Sequence, residues 1–197
     1  LLELGVGPIR VDYLDDDNVR MIQPKPIFED PIKDSEKVVE TIGLAMNDVD
    51  QDNPIQVVST GFPYLIIPIK TLSAVKKATP IPSLFRKNLA DVSTPQVLIY
   101  STETIHSDSH VHARMFAPEV GVVEDPATGS AAGPLGAYLE KHKILGNHQF
   151  GDIINIEQGY EIERPSKLVA RVPDESMSAV HVVGKVRLIA AGTFYLP

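Results

Sequence analysis

Residues 124–133 read EDPATGSAAG, and no other stretch of the chain carries as strong a structural signal. Pro126 lacks a backbone N–H and disfavours helical geometry at Asp125, so we expect this acid to lie on a stiff turn. Thr128 or Ser130 can then cap the helix that follows. Beyond Ser130 the residues are small or apolar on nearly every side, which predicts a helix enclosed by a sheet.

The start of this helix is suited to binding an anion. Gly129 lets a ligand approach bare backbone amides, and a helix N-terminus offers unpaired N–H groups with the positive end of its dipole. An acid at Asp125 beside such a site suits proton transfer at the carbon next to a carboxylate, because the amides absorb the developing enolate charge. The alternative is that Asp125 only caps the helix. Residue types alone leave both interpretations open.

Several chemistries need residues that this chain lacks. It has no cysteine, which excludes disulfides, thiolate metal sites and any sulfur nucleophile or base. Residues 129–133 read GSAAG, which is neither the G-x-S-x-G of a nucleophile elbow nor a phosphate-binding loop, since the latter needs a lysine after its last glycine. The sequence therefore disfavours serine hydrolases and nucleotide hydrolases.

The composition is that of a globular chain with an acidic surface. Of 197 residues, 43% are hydrophobic, which is enough for a core, and the net charge is −8. This balance offers no basic stripe for a phosphate backbone, so we expect no nucleic-acid partner. The longest apolar run, residues 62–69, contains two prolines and is too short to cross a membrane. Without a signal-peptide pattern, the expected location is cytoplasmic.

Two clusters of potential metal ligands have simpler interpretations. Residues 15–18 read DDDN between two strand-like runs, which favours a solvated hairpin turn over a metal site. His106, His110 and His112 lie in a polar stretch, and zinc would need them to converge with a fourth ligand. No carboxylate follows at a diagnostic spacing, so we interpret them as solvated loop histidines. We predict no metal site.

Many short strands and a few separate helices predict an α+β fold rather than alternating βαβ units. Residues 1–5 read LLELG, which predicts the last turn of an apolar helix ending at Gly5. Such a short helical end cannot form alone, so its remainder would lie upstream or its packing would come from another chain. A frayed terminus is the alternative.

Short segments spread along the chain carry a family resemblance. They are RMFAP at 114–118, EDPATGSA at 124–131, GAYL at 136–139, STG at 59–61, QG at 158–159, RPS at 164–166 and VG at 183–184. Together they resemble the PhzF family, the phenazine-biosynthesis-like isomerases, over essentially the whole chain. The segment at 124–131 is specific enough to carry the resemblance by itself.

The resemblance implies a fold like that of diaminopimelate epimerase. Such proteins have two similar domains, each a curled sheet around a central helix, with the active site between them. Residues 1–30 would then be a remnant of the first domain and residues 31–197 the second domain, whose last strand could return to the first. The reaction implied is a cofactor-free proton shift on a small carboxylate substrate. The sister racemases use two cysteines, which this chain lacks.

Roles for individual residues follow from the same resemblance. It implies that Asp125 and Ser130 are catalytic. The residues expected to bind substrate are Thr128, Gly129, Ser59 and Gly61. The family's glutamate base and glycine-histidine motif belong to the first domain, and nothing in this chain replaces them.

Two hypotheses about function follow. One is an isomerase that is incomplete in this chain and is completed by a missing first domain or a homo-oligomer partner. The other is a non-catalytic remnant that binds a small carboxylate or a partner protein.

Overall fold

A computed structural model describes residues 1–15 and 17–195 of the chain. Within them, short strands predominate and helices are few. The strands are β1 Leu2–Leu4, β2 Gly7–Tyr13, β3 Asn18–Pro24, β4 Ile27–Phe28, β5 Gln56–Ser59, β6 Pro63–Pro68, β7 Val97–Ser101, β8 Val111–Ala117, β9 Val122–Asp125, β10 Ile154–Gln158, β11 Ser166–Arg171 and β12 Ala179–Lys185. The α-helices are α1 Ser35–Glu40, α2 Leu72–Lys77, α3 Pro82–Asn88 and α4 Gly129–Lys141.

The strands form a mixed sheet, in which β10 and β8 are parallel, as are β6 and β7. The strand order is β1-β2-β3-β12-β11-β10-β8-β7-β6-β5-β4, and β9 pairs with β8 beside this path. The order is an open path that ends at β1 and β4. A largely antiparallel sheet with a few separate helices confirms the α+β class. None of the helices in the described ranges has the length and apolar character to span a lipid bilayer.

Helix α4 is enclosed, as its small residues predict. Every residue from Ala131 to Glu140 is buried. The helix packs against β11 and β12 from one half of the sheet and against β5 and β6 from the other. Close approach depends on the small residues: a Cβ added to Gly136 would lie 2.8 Å from the Cβ of Ala170. The sheet thus surrounds much of the helix that follows the EDPATGS turn.

The central strands are buried on both faces, and each face has its own core. On β6, Tyr64 and Ile66 belong to the cluster that surrounds α4. Leu65 and Ile67, which alternate with them, belong to the cluster beneath α1, α2 and α3. Tyr64 therefore lies on the face of β6 that packs against α4, close to the start of the helix.

The amino-terminal region differs from the sequence-based expectation. Residues 1–5 do not end a helix; Leu2–Leu4 is strand β1, with Leu2 opposite Ile9 on β2. Three residues cannot nucleate a helix, whereas a strand gains ladder hydrogen bonds from its neighbour. The turn between β2 and β3 is confirmed, since the N–H of Leu14 donates to the carbonyl of Asn18 at 2.8 Å. Asp16 of this turn lies outside the described residues.

Strand β3 joins the amino-terminal hairpin to the rest of the sheet. It pairs antiparallel with β12 over its full length, from Asn18 opposite Lys185 to Pro24 opposite Ala179. One continuous ladder therefore crosses the predicted boundary at residue 30. The division into residues 1–30 and 31–197 stays a prediction.

Candidate active site

The turn that carries Asp125 joins β9 to α4. Asp125 is the last residue of β9, where it lies opposite Met115 of β8. Its side chain is half-buried, and its Oδ2 accepts a hydrogen bond from Oγ1 of Thr128 at 2.7 Å. Its other oxygen, Oδ1, has no hydrogen bond to any residue in the described ranges. One carboxylate oxygen is therefore held by Thr128, and the other makes no hydrogen bond within the described residues.

Thr128 stands at the N-cap of α4 but does not cap the helix with its side chain. The capping role expected of it is wrong, because its hydroxyl is turned back toward Asp125. The side chain of Gln158 explains this orientation: its Nε2 donates to Oγ1 of Thr128 at 3.0 Å and to the carbonyl of Asp125 at 2.6 Å. Its Oε1 accepts from the backbone N–H of Thr128 at 3.3 Å. Gln158 thus binds both ends of the turn.

Ser130 lies in the first turn of α4 and is exposed. Its Oγ is 2.6 Å from the hydroxyl of Tyr64, which is itself buried. Burial raises the pKa of Tyr64; the hydrogen bond with Ser130 opposes this rise, and the negative charge of Asp125 adds to it. Tyr64 is therefore neutral at physiological pH and holds the Ser130 hydroxyl in place. Sequence reasoning gave no role to Tyr64, which looks like any aromatic residue of a core strand.

Gln23 on β3 fixes the same helix start from another side. Its Nε2 donates to the carbonyl of Gly129 at 2.9 Å, and its Oε1 accepts from the hydroxyl of Thr60 at 2.5 Å. Gln23 is almost fully buried, so both hydrogen bonds are shielded from solvent. A glutamine on a strand carries no local signal of such a role, and the sequence did not indicate it.

A cleft of about 310 Å³ opens between the β1–β2 hairpin and the start of α4. Its polar lining comes from Gln23, Thr60 and Ser130, and its other walls are mostly apolar. A larger cavity, of about 710 Å³, lies near the far end of α4, around Glu140 and His148, and touches none of the predicted site residues. The smaller cleft is the candidate site, because it adjoins the donors at the start of α4.

The predicted site residues fall into two groups. Ser130 and Gly61 line the cleft, whereas Asp125, Thr128 and Ser59 are not part of its lining. Gly129, the first residue of α4, is also outside the lining, although it directly precedes Ser130.

Ser59 supports the loop that carries Gly61. The Oγ of Ser59 accepts the N–H of Gly61 at 3.1 Å. Gly61 has a φ of 112°, and an added Cβ would lie 3.2 Å from Val6. Only glycine adopts this backbone without strain, so the wall of the cleft at this point needs Gly61.

His112 is not a solvated loop histidine, contrary to expectation. It is fully buried, with Nδ1 at 2.8 Å from Glu157 and Nε2 at 2.8 Å from Glu161. Both ring nitrogens of His112 therefore lie within hydrogen-bond distance of a carboxylate from β10 or from the segment that follows it. His110 is partly buried, and its Nδ1 accepts the N–H of Asn155 at 2.9 Å. In the described part of the chain, no group of three or more His, Asp or Glu residues is placed to hold a metal ion.

Both carboxylates beside His112 are held in their charged form. Burial opposes the ionisation of Glu157, but hydrogen bonds from the N–H of Ile105, from His112 and from the N–H of His106 outweigh it and lower its pKa. Burial likewise opposes the ionisation of Glu161, and the hydrogen bond and charge of His112 lower its pKa. This cluster anchors β8 to β10, directly before Gln158.

A second buried ion pair anchors the residue before Asp125. Arg114 donates to Glu124 from Nε at 2.9 Å and from Nη2 at 2.7 Å. Its Nη1 donates to the carbonyls of Val75 and Ala78 at 2.9 and 2.8 Å. The guanidinium therefore ties the end of β9 to the end of α2, which fixes the backbone that leads into the turn.

The comparisons with known proteins agree with this fold. The model of the family "Phenazine biosynthesis-like protein", PhzC-PhzF, matches residues 2–192. An uncharacterised isomerase of Bacillus subtilis is 34% identical over 166 residues, which cover 83% of this chain and 55% of that protein. The trans-2,3-dihydro-3-hydroxyanthranilate isomerase of Pseudomonas aeruginosa is 32% identical over 197 residues, which cover 98% of this chain and 65% of that protein.

A solved structure supports the same assignment. The crystal structure of the Bacillus anthracis phenazine biosynthesis protein of the PhzF family is similar with a TM-score of 0.76 and 28% identity, covering 92% of this chain and 63% of that one. The chain spans 55% and 65% of the two curated relatives described above. The family match extends over nearly all of its residues, and the resemblance found in the sequence is confirmed. The chain belongs to the phenazine biosynthesis-like protein family, PhzC-PhzF.

Proposed function

We propose that this chain provides the α4 half of an isomerase that moves a proton on a small carboxylate substrate without a cofactor. One observation carries the proposal: the half-buried carboxyl of Asp125 keeps one oxygen free beside the start of a buried helix that borders a cleft. The relatives named isomerases support the reaction type.

The substrate carboxylate would bind at the first turn of α4. The N–H groups of Gly129 and Ser130 have no partner within the helix, and they lie at the positive end of its dipole. The hydroxyl of Ser130 adds a third donor, held in place by Tyr64. Gly61 closes the opposite side of the cleft, and Ser59 holds Gly61 there. These donors would also stabilise the negative charge that develops when a proton leaves the neighbouring carbon.

Asp125 would give or take that proton. Thr128 holds one oxygen of its carboxyl, so the free oxygen is the one that exchanges the proton. An isomerisation also needs a second acid or base on the other side of the substrate. We propose that this group comes from a first domain or from a second copy of the chain.

The substrate class follows from the site and from one relative. The relative in Pseudomonas aeruginosa is named for trans-2,3-dihydro-3-hydroxyanthranilate, a small cyclic amino acid with one carboxylate. The cleft has an apolar wall and few polar groups, which suits a small ring with a single carboxylate. We therefore propose small cyclic carboxylates as substrates and use anthranilate as a stable probe of binding.

The test is proton exchange with solvent. The chain, combined with the first domain of a full-length relative that would supply the second acid or base, is incubated with trans-2,3-dihydro-3-hydroxyanthranilate in heavy water, and proton NMR follows the replacement of carbon-bound hydrogen by deuterium. An isomerase of this kind labels the substrate, and a variant with Asp125→Asn does not. Absence of labelling by the wild-type protein would contradict the proposal.

A second candidate is a carboxylate-binding protein without catalysis. It is favoured by one observation: Ser130 lines the cleft, whereas Asp125 is not part of the lining. In this case anthranilate shifts the amide resonances of Gly129 and Ser130, but no deuterium enters the substrate. If anthranilate causes no shifts and no labelling occurs, both candidates are wrong.

A further inference from the structure

Gln158, the last residue of β10, directs its whole side-chain amide to the turn that carries Asp125. It is 1% exposed, so its amide group is cut off from solvent. Both of its N–H donors and its oxygen are directed to the turn, two of them to Thr128 and one to the carbonyl of Asp125. A single side chain therefore fixes both the backbone and the hydroxyl of this turn.

The contact with Thr128 determines where the hydroxyl hydrogen points. The oxygen of Thr128 accepts a hydrogen bond from Nε2 of Gln158 at 3.0 Å. A hydroxyl has only one hydrogen to donate, and the oxygen of Thr128 lies 2.7 Å from Oδ2 of Asp125. The hydrogen bonds thus run in one direction, from Gln158 through Thr128 to the carboxylate.

The next residue, Gly159, brings β10 close enough for this contact. Its φ is 83°, and an added Cβ would lie 2.6 Å from the carbonyl oxygen of Pro126 and 2.4 Å from that of Arg164. No other residue type fits between these backbones. The Gln158-Gly159 pair is therefore shaped around the turn that carries Asp125.

From this geometry we infer that Gln158 is a positioning residue: acting through Thr128, it sets the orientation of the Asp125 carboxyl group. The inference rests on the proposed function, in which Asp125 transfers the proton. Only a neutral amide serves here, because the site needs two donors and one acceptor. A glutamate would keep the acceptor for the N–H of Thr128 but lose both donors.

Two substitutions and one matched control test this role. Gln158→Met keeps the length of the side chain but removes all three hydrogen bonds, and Gln158→Glu removes only the two donors. The control is Gln96→Met, since Gln96 is also buried and bonded to a threonine hydroxyl, that of Thr94. Circular dichroism and urea midpoints show whether each variant folds, and we expect similar losses of stability from Gln158→Met and Gln96→Met.

The decisive measurement is the side-chain rotamer of Asp125 in the protein without ligand, from NMR scalar couplings. We expect one rotamer in the wild type and in Gln96→Met, and rotamer averaging in both Gln158 variants. Exchange of the Thr128 N–H with heavy water should become about tenfold faster in Gln158→Met and change by less than about twofold in Gln158→Glu, which keeps the acceptor. An Asp125 rotamer that stays single in both Gln158 variants would overturn the inference, and so would equal averaging in Gln96→Met.

Activity separates the inference from the proposed function. Both Gln158 variants should label the substrate at least about tenfold more slowly than the wild type, because a misplaced acid loses its alignment. Their affinity for anthranilate should change by less than about twofold, since the donors at Gly129 and Ser130 remain. A wild type that labels no substrate contradicts the proposed function, whereas the Asp125 rotamer still decides the positioning role. If the Gln158 variants lost anthranilate affinity by the same factor as labelling rate, the positioning role of Gln158 would be overturned.

Discussion

The amide of Gln23 fills the space in which a Cβ of Gly133 would lie: the added atom would be 1.8 Å from Oε1 of Gln23. This amide is held in place by its hydrogen bonds to Gly129 and Thr60. A glycine one turn into α4 is thus what allows β3 to support the start of the helix.

Gly133→Ala should therefore destabilise the protein by about 1–3 kcal/mol, because Gln23 must move and lose both hydrogen bonds. Alanine by itself would favour the helix by roughly 1 kcal/mol, which makes a net loss a clear sign of the clash. Urea denaturation measures the change. In a Gln23→Ala background, Gly133→Ala should cost less stability than in the wild type, because the clash with Gln23 is gone. An equal cost of Gly133→Ala in the two backgrounds would contradict this explanation.

Asp125→Asn should abolish deuterium labelling of the substrate while the fold stays intact. The amide has the same shape and still accepts from Thr128, but it cannot exchange a proton, so we expect the rate to fall by about a hundredfold or more. Proton NMR measures the labelling and circular dichroism the fold. Unchanged labelling would rule out Asp125 as the acid or base.

Ser130→Ala should weaken the binding of anthranilate by about 0.5–1.5 kcal/mol, which is the contribution of one hydrogen bond. The N–H donors of α4 remain, so binding should not be lost. Isothermal titration calorimetry measures the affinity. Ser93→Ala is the control, because Ser93 is also exposed but lies outside the lining of the cleft. Equal affinities of the two variants would show that the Ser130 hydroxyl takes no part in binding.

Glu157 should make stability depend on pH in the acid range. Although burial opposes its ionisation, hydrogen bonds from Ile105, His112 and His106 lower its pKa in the folded protein below the usual 4.5. Its contribution is then complete above about pH 4.5 and is lost as the pH falls through the lower folded value.

Glu157→Gln should cost about 1.5–3 kcal/mol at neutral pH, the range for a hydrogen bond to a charged group. The gap between this variant and the wild type should narrow as the pH falls below 4.5. Urea midpoints at a series of pH values measure the gap. A gap that stays constant down to acid pH would contradict the role of the carboxylate charge.

Arg114→Lys should destabilise the protein by about 2 kcal/mol or more, although the charge is kept. Lysine cannot reproduce the paired contacts with Glu124 or reach the carbonyls of Val75 and Ala78 at the same time. Arg86→Lys is the matched control, since Arg86 forms a single exposed contact with Glu119 and should change stability by less than about 0.5 kcal/mol. Similar thermal midpoints for Arg114→Lys and Arg86→Lys would contradict the stabilising role of the buried Arg114 contacts.

Local sequence patterns predicted the structure correctly where neighbouring residues in the chain alone determine it. The small residues from Ala131 to Leu139 predict an enclosed helix, because no other environment accepts such a surface. The proline after Asp125 predicts a turn for steric reasons that need no tertiary contact. The family resemblance then supplied roles that residue types alone left open.

Contacts between distant segments could not be predicted in this way. His112 lies in a polar stretch of sequence, and its burial depends on Glu157 and Glu161, which follow much later. Gln23 and Gln158 resemble ordinary strand residues until the sheet brings them to α4. Leu2–Leu4 is too short to show a period, so its pairing with β2 decides its structure.

The pairing of β3 with β12 makes the cleft depend on a segment far away in the chain. Gln23 and Met21, which border the cleft, lie on strand β3, whose second neighbour, β12, begins only at Ala179. Until residues 179–185 emerge, β3 has an unpaired edge that a nascent chain must shield from other chains. A fragment that ends before residue 179 would leave this edge of β3 open to pairing with other chains, and the cleft beside it would lose the support of β12.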